Sequence, residues 1–451
     1  MTENGKFFSA NYAEPRLDSL PVYGGAVWKQ AQFGRNVFAL SQLGTGVIEY
    51  GQTDIKPQWE APGEGWQELN IENGKIYSEA DEAYCAFDLN TKQTKMIEKN
   101  KEASLEDYIG MTSDGVLWCE GELKNENDSD VPFLFGYDFN TGDRIEYEVK
   151  KPEDDKNDWF SLSDDECTIS EDRLLYVYEK SDYPDYELRI VQSDLNGENL
   201  TSRTVMKYDS SVTIYPKLID CTDRFAYLYI EKKNWEKPDE NQYLLVEVEI
   251  STGNYVIINS YSEHMNLSQI IFSSDDVTDR YALALDGIIR VGSAGKETGF
   301  DLTAEDGVKL SKPVFDGDEI FALGDDKYLY RFRATDGSLL SKTLLNQVYN
   351  TYDANLLDSE SCFTIQHTSD GYLIANVFGM ANIFETEQWT AISSFGSFVT
   401  YDEPSDSYIC QSGDNYLSYK RLTREELIEQ GKELVKDYQL TEKEKEEYGI
   451  N

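Results

Sequence analysis

Few residues of this chain have the types and spacing that catalysis requires. The sequence holds only two histidines, His264 and His367, and neither stands in a metal-binding or catalytic-triad pattern. His367 follows a strand-like stretch and precedes a turn, a position that favours a structural role. The sequence therefore predicts no catalytic residue, no metal site and no bound cofactor.

Carboxylates are so abundant that pairs of them say nothing about glycosidase chemistry. Neither a phosphate-binding loop nor a dinucleotide fingerprint occurs. Acidic clusters at residues 153–155, 164–166, 275–276 and 325–326 fall in predicted loops. They suggest either calcium binding or docking of a basic partner, but none shows the alternating acidic pattern of a dedicated calcium loop. Solvated, soluble loops are the interpretation that we favour.

The tryptophans divide into two groups by their neighbours. Trp118 and Trp389 lie in strand-like stretches, where large aromatic side chains fill gaps between packed sheets. Trp159 and Trp235 stand among polar and turn-forming residues, which predicts that they lie in long loops. Together with Phe160, these two are the candidate partner-contact residues.

The charge of the chain restricts its partners. The sequence has 85 acidic and 41 basic residues and a formal charge of -44. Such a surface repels phosphate backbones and anionic lipids, so it argues against binding of nucleic acid or membranes and for a protein partner with a basic surface. A small ligand is also compatible with it.

A cytoplasmic location is expected from the N-terminal sequence and the cysteines. The N-terminus lacks a basic start and an apolar run, and no stretch is long and apolar enough to cross a membrane. Six cysteines are scattered without a Cys-x-x-Cys pair, which is typical of buried thiols in a reducing compartment.

The elements that position these residues are marked by a recurrent turn phrase. Asp138-Phe139-Asn140-Thr141-Gly142 is the clearest copy, and related phrases begin at positions 88, 194, 249 and 334, with weaker copies near positions 291 and 385. Asn, Asp and Gly tolerate the positive φ angles of tight turns, and the flanking residues are β-branched or aromatic. Each phrase is therefore predicted to close the outer hairpin of a repeated unit.

A second turn pattern precedes most of these phrases, as in Asp114-Gly115-Val116 and Ser369-Asp370-Gly371-Tyr372. Each unit is therefore a four-stranded meander, which has the size of a propeller blade. Seven outer turns, plus an incomplete unit at residues 397–421 that an N-terminal strand would close, predict an all-β propeller of eight blades, with seven as the alternative. Residues 35–60 hold more strand-like sequence than one closing strand needs.

The C-terminal sequence changes to a helical pattern. Thr423-Arg424-Glu425-Glu426 is a capping box, and apolar residues recur after it at helical spacing. We predict three regions: an irregular N-terminal arm (1–35), the propeller (36–421) and a helical extension (422–451) that packs on the propeller.

This C-terminal segment carries a family resemblance. Leu422-Thr423-Arg424-Glu425-Glu426-Leu427-Ile428, followed by Leu440-Thr441-Glu442-Lys443-Glu444 and Tyr448, resembles the helical ending of bacterial WD-repeat-like sensor propellers. The turn phrase looks more like that of quinoprotein-type repeats, and no Trp-Asp dipeptide closes a strand. The resemblance implies a recognition propeller that serves an effector module.

Three functions remain open from sequence alone; the third, a purely structural subunit of a larger assembly, is not distinguishable by sequence from the first. The first is a non-catalytic protein-interaction or ligand-sensing propeller that uses one face and its long acidic loops. The second is a hydrolase or lyase with carboxylates and tyrosines in the central channel. Several converging carboxylates with perturbed pKa values in that channel would favour chemistry.

Overall fold

The structure is a computed structural model. It describes residues 57–422 with gaps, the principal ones being 156–165 apart from Leu162, 262–266, 273–279, 294–298 and 346–362. Before residue 57 it describes strands only, and after residue 422 it describes Glu426 alone.

Six short strands precede the ring and form two three-stranded antiparallel sheets. Their bounds are β1 Thr2–Glu3, β2 Lys6–Ala10 and β3 Leu17–Pro21 in one sheet, and β4 Lys29–Phe33, β5 Asn36–Leu40 and β6 Gly46–Glu49 in the other. The surplus strand sequence after residue 35 is thus β5 and β6; β5 pairs with β4, and β6 pairs with β5. The domain boundaries given above stay predictions.

The closing strand comes next in the chain: β7, Trp59–Pro62. Four-stranded antiparallel blades follow it. Blade 1 consists of β8 Gln67–Glu72, β9 Lys75–Glu79, β10 Ala83–Asp88 and β11 Gln93–Glu98. Blade 2 consists of β12 Ser104–Met111, β13 Val116–Lys124, β14 Asp130–Asp138 and β15 Asp143–Glu148. Blade 3 consists of β16 Cys167–Ser170, β17 Arg173–Asp182, β18 Asp185–Asp194 and β19 Thr201–Asp209.

The next three blades repeat this plan. Blade 4 consists of β20 Val212–Cys221, β21 Phe225–Asn234, β22 Gln242–Glu249 and β23 Tyr255–Tyr261. Blade 5 consists of β24 Leu267–Phe272, β25 Arg280–Leu285, β26 Ile288–Ser293 and β27 Phe300–Leu302. Blade 6 consists of β28 Leu310–Asp316, β29 Glu319–Gly324, β30 Tyr328–Arg333 and β31 Leu339–Leu344.

The last two blades complete the ring. Blade 7 consists of β32 Phe363–His367, β33 Tyr372–Val377, β34 Met380–Glu385 and β35 Thr390–Phe395. Blade 8 consists of β36 Phe398–Asp402, β37 Ser407–Ser412, β38 Asn415–Lys420 and the N-terminal β7. Because β7 pairs with β38, with Trp59 opposite Ser418, both ends of the ring meet in one sheet. The prediction of eight blades is confirmed.

An apolar core lies at each of the eight blade-to-blade interfaces. The interface of blades 8 and 1, for example, packs Ile409 and Tyr416 against Ile76 and Phe87. Trp118 is 3% exposed and lies in the core between blades 2 and 3, as predicted. Each sheet buries both faces only because its neighbours cover them, so the stack of blades is what makes the repeat stable.

The turns divide between two faces of the ring. Because the strands of a meander alternate in direction, the first–second and third–fourth turns of each blade lie on one face, which we call the turn face. On this face Asp138 Oδ1 accepts a hydrogen bond from the N–H of Asn140 at 2.8 Å, and Gly142 has φ 89°. The second–third hairpins and the connections between blades lie on the opposite face, the loop face.

Arg421 holds the last blades together on the turn face. Its buried guanidinium donates from Nε to Asp406 Oδ1 of blade 8 at 2.6 Å and from Nη1 to Asp370 Oδ2 of blade 7 at 3.0 Å. The predicted helical extension after it lies outside the described residues, except for Glu426, which is bonded to Lys420. None of the helical residues that the structure describes forms a segment with the length and hydropathy needed to span a lipid bilayer.

Candidate functional site

Three neighbouring blades extend further than the others on the loop face. β13 and β14 contain nine residues each and β17 and β18 ten each, and β21 contains ten. The second and third strands of blades 5 to 8 contain six each. Three or four extra residues at about 3.3 Å each lengthen a strand by about 10–13 Å.

The extra length of these strands lies on the loop face. Hydrogen bonds between neighbouring blades hold their turn-face ends level, so the additional residues project at the opposite end. Ser113 of blade 2 donates its backbone N–H to Asp172 Oδ1 of blade 3 at 2.7 Å. Arg203 of blade 3 donates from Nε to the carbonyl oxygen of Ser251 in blade 4 at 3.0 Å. We call the projecting hairpins of blades 2 to 4 the raised arc.

The hairpin tip of blade 4 is a loop that holds its own shape. Asn234 Oδ1 accepts hydrogen bonds from the N–H groups of Glu236 and Lys237, both at 3.0 Å. Asn241 Oδ1 accepts a hydrogen bond from the N–H of Asn234 at 2.8 Å. A 3₁₀ turn at Pro238–Glu240 lies between these two asparagines. The loop is therefore ordered by local side-chain to backbone bonds rather than by burial.

Trp235 stands at the start of this loop and is 65% exposed. Its indole Nε1–H donates to Thr213 Oγ1 at 2.7 Å, so the ring is fixed while most of its surface faces solvent. An exposed, immobilised tryptophan can bury a large area against a partner at little cost in side-chain entropy. The structure thus places one of the three sequence-predicted contact residues on the raised arc, while Trp159 and Phe160 lie outside the described residues.

Tyr215 adds a second exposed aromatic side chain to the same blade. It is 46% exposed, and Lys233 Nζ lies 4.8 Å from its ring centroid, while that ammonium is also bonded to Glu231 at 2.9 Å. Both Thr213 and Tyr215 lie on the innermost strand, β20. Thr213 thus holds the indole of Trp235 in place, and Tyr215 extends the exposed aromatic surface around it. Sequence reasoning missed Tyr215, because nothing in its neighbourhood predicted that β20 would project from the ring.

A cavity of about 610 Å³ opens beside the tip of blade 4. Residues from the loop-face ends of all four strands line it: Val212, Lys232, Asn234, Asp239, Glu240, Asn241, Gln242, Ser260 and Tyr261. Amides, hydroxyls and charges of both signs give it donors and acceptors, and Lys237 neutralises Glu240 through a 2.9 Å bond. Its chemistry suits polar side chains or a neutral polar ligand.

The acidic connection between blades 2 and 3 is clamped to blade 3 by an ion pair. Asp154 accepts hydrogen bonds from Arg189 Nη1 at 2.9 Å and from Lys180 Nζ at 3.1 Å. The Arg189 bond lowers the pKa of Asp154 to about 2. Asp154 therefore anchors its loop, and among the described residues no group of three or more His, Cys, Asp and Glu side chains is placed to hold a metal ion.

Three carboxyls on innermost strands have raised pKa values. For Glu106 of blade 2, burial raises the pKa against the opposing effect of hydrogen bonds from the Tyr137 hydroxyl and the Asn100 N–H. Burial raises the pKa of Glu68 in blade 1 to about 7. Burial also raises the pKa of Asp220 in blade 4 to about 6, against the opposing effect of a hydrogen bond from the Cys221 N–H. Glu68 and Asp220 stand three blades apart, and none of the three carboxyls contributes to the pKa shift of another, so they do not form an acid–base pair.

The described histidine and cysteine side chains have structural rather than reactive environments. His367 Nε2 lies 2.8 Å from Asp316 Oδ2 and so joins blade 7 to blade 6, whereas His264 lies outside the described residues. The five described cysteines form no disulfide: Cys85, Cys119, Cys167, Cys221 and Cys410. Burial raises the pKa of the Cys410 thiol to about 12, which suppresses the reactive thiolate.

Comparisons with known proteins concern the fold. Neither a protein-family model nor a curated protein matches the chain. Among solved structures, the computationally designed protein Ika8 aligns with 80% of this chain and 99% of its own at 11% identity and a TM-score of 0.48. BamB from Moraxella catarrhalis covers 82% of this chain and 100% of its own at 12% identity and a TM-score of 0.45. A chain of a mitotic checkpoint complex covers 82% and 95% at 9% identity and a TM-score of 0.40.

Proposed function

We propose that this protein is a non-catalytic, cytoplasmic interaction module that binds a protein partner through the raised arc. The single observation that carries the proposal is Trp235, an exposed indole held in place by its bond to Thr213 on a loop that is ordered before binding. Exposing such a residue has a cost in solubility that an interaction surface would justify.

The charge of the molecule supports a partner with a basic surface. A formal charge of -44 attracts basic proteins over distances of about a Debye length and repels acidic ones. The indole would supply the local contact, and the charge would accelerate the encounter. The same module would act as a ligand sensor if a small polar ligand bound in the cavity beside the loop.

The proposal is tested by affinity capture of the tagged full chain from its native cytoplasm, at low and then high salt, with quantitative mass spectrometry. We expect a stoichiometric partner that high salt releases and that Trp235→Ala fails to retain. Met96→Ala is the matched control, because Met96 is 49% exposed on the outer strand of blade 1, away from the raised arc.

If the Trp235→Ala variant retained the same partner, the binding surface would have to lie elsewhere on the ring. An absence of any stoichiometric partner would contradict the interaction module itself. In that event the central channel and the innermost-strand carboxyls with raised pKa values, Glu68, Glu106 and Asp220, become the next place to search for function.

A further inference from the structure

The outer strand of blade 4 carries no charged side chain, which among the described outer strands is otherwise true only of β35 in blade 7. β23 has the sequence Tyr-Val-Ile-Ile-Asn-Ser-Tyr, seven residues without an acidic or basic side chain. By contrast, β11 and β15 carry several charges each, β19 carries three, and β31 carries Lys342. Edge strands of natural proteins are normally protected from pairing by such charges, Lys above all.

β23 is also an open edge with exposed apolar side chains. Within the strands that the structure describes it pairs with β22 alone, so its outer backbone edge has no strand beside it. Tyr255, Val256 and Ile257 are consecutive and are 38%, 37% and 48% exposed. An uncharged, β-branched edge of this kind is a template for an added strand.

We propose that β23 receives an extended, net-basic segment of the partner protein, which pairs with it as a fifth strand of blade 4. This inference rests on the proposed function and specifies which element of the partner is bound. Main-chain hydrogen bonds along β23 would supply affinity, and side-chain contacts on either side would supply specificity.

Charge selects the occupant. Two copies of a chain with a formal charge of -44 repel each other, so a self-paired dimer through β23 is disfavoured, and an acidic strand is disfavoured for the same reason. The two ends of β23 also lie near carboxylates. Glu249 precedes its hairpin turn at one end, and at the other end Asp239 lines the same cavity as the terminal Ser260 and Tyr261. Basic residues flanking an apolar core therefore fit this edge best.

The cavity gives the added strand a defined end. Ser260 and Tyr261 are both the last residues of β23 and part of the cavity wall. A strand that pairs along β23 consequently delivers its terminal residue into a space with amide and hydroxyl partners. Trp235 begins the loop that continues into this wall through Asp239, so both contact surfaces belong to the same blade end.

The test uses the full-length protein and synthetic nine-residue peptides in which alternating Val and Thr residues are flanked by Lys or, as the comparison, by Glu. Hydrogen exchange of residues 255–261 and fluorescence anisotropy of labelled peptide are measured. We expect the Lys-flanked peptide to slow exchange in β23 and to bind at least tenfold more tightly than the Glu-flanked peptide. Ile257→Lys should weaken binding at least tenfold, whereas Leu340→Lys on the outer strand of blade 6 should not.

Unchanged exchange of residues 255–261 in the presence of the Lys-flanked peptide would overturn the proposal. So would strong protection of this edge in the free protein, which would indicate that the chain itself or a second copy covers it; light scattering distinguishes those two. Neither result touches the requirement for Trp235 in partner capture, so the failure of this inference is distinguishable from the failure of the proposed function.

Discussion

Glu68 shows how the ring shifts the pKa of a half-buried carboxyl. It lies on the innermost strand of blade 1, where burial raises its pKa to about 7 from a usual value of 4.5. Between these two values the folded state keeps the proton and the unfolded state loses it. Stability therefore falls as the pH rises from about 4.5 through 7.

Replacing Glu68 by Gln should stabilise the protein at pH 8 and change little at pH 4.5. The upper limit of the gain, from a shift of about 2.5 pH units, is about 3 kcal/mol. Thermal unfolding at the two pH values measures it, with Glu72→Gln on the same strand as the control. An equal change in Tm at both pH values would show that the effect is one of packing rather than ionisation.

The burial of Glu68 had no signal in the sequence. Its strand, Gln-Glu-Leu-Asn-Ile-Glu, reads as alternating polar and apolar residues, which predicts an exposed carboxylate. Trp118 is the opposite case, because its strand sequence predicted a core position and the side chain is buried against Gly136, where a Cβ would meet the indole at 2.7 Å. Local pattern thus predicts the burial of a large apolar side chain, but it gives no signal for the partial burial of a carboxyl in an alternating strand.

The hairpin loop of blade 4 is the element on which the candidate site depends. Its order comes from Asn234 and Asn241, whose side-chain oxygens accept backbone hydrogen bonds within the loop. Polar neighbours of Trp235 were enough to predict an exposed loop, but not that the loop stands on a lengthened hairpin. A signal for the lengthening exists: the turn phrases around blades 2 to 4 are 50, 56 and 55 residues apart, whereas the next two intervals are shorter.

Replacing Asn241 by Ala should loosen this loop without unfolding the blade. The lost hydrogen bond to the Asn234 N–H corresponds to about 1 kcal/mol, so amide exchange in residues 235–241 should become roughly fivefold faster while Tm stays close to that of the wild type. Asn196→Ala, which removes a comparable bond to the Glu198 N–H in a turn of blade 3, is the control. Unaltered exchange around Trp235 would mean that the loop is held by other contacts.

At the scale of the whole molecule, stability depends on closing the ring with a strand from the other end of the chain. β7 completes blade 8 next to β38, and Ala61 and Trp59 pack with Phe87 and Tyr416 at the interface of blades 8 and 1. The sequence predicted this closure because residues 397–421 supply only three strands of a four-stranded repeat. The position of the closing strand was not predictable, since several stretches between residues 36 and 60 have strand character.

Two truncations distinguish the contribution of the closing strand to stability from that of the residues before it. Deletion of residues 1–56 keeps β7, and we expect cooperative unfolding at a Tm near that of the full chain. Deletion of residues 1–64 removes β7 and should lower Tm by about 5 °C or more, because the edge of β38 and the apolar side chains near Phe87 become exposed. Equal Tm values for the two variants, in a thermal melt followed by circular dichroism, would contradict the assignment of β7 as the closing strand.

The raised arc has a consequence for how a partner is oriented. Eight similar blades related by rotation about the ring axis would offer eight nearly equivalent orientations of a bound molecule. The long hairpins of the raised arc remove this equivalence. Only one rotational orientation about the ring axis would bring a partner into contact with both the side of the raised arc and Trp235 at the tip of blade 4. A partner that binds as proposed would therefore sit on the ring in a single rotational orientation, one partner per ring, despite the eightfold repetition of the scaffold.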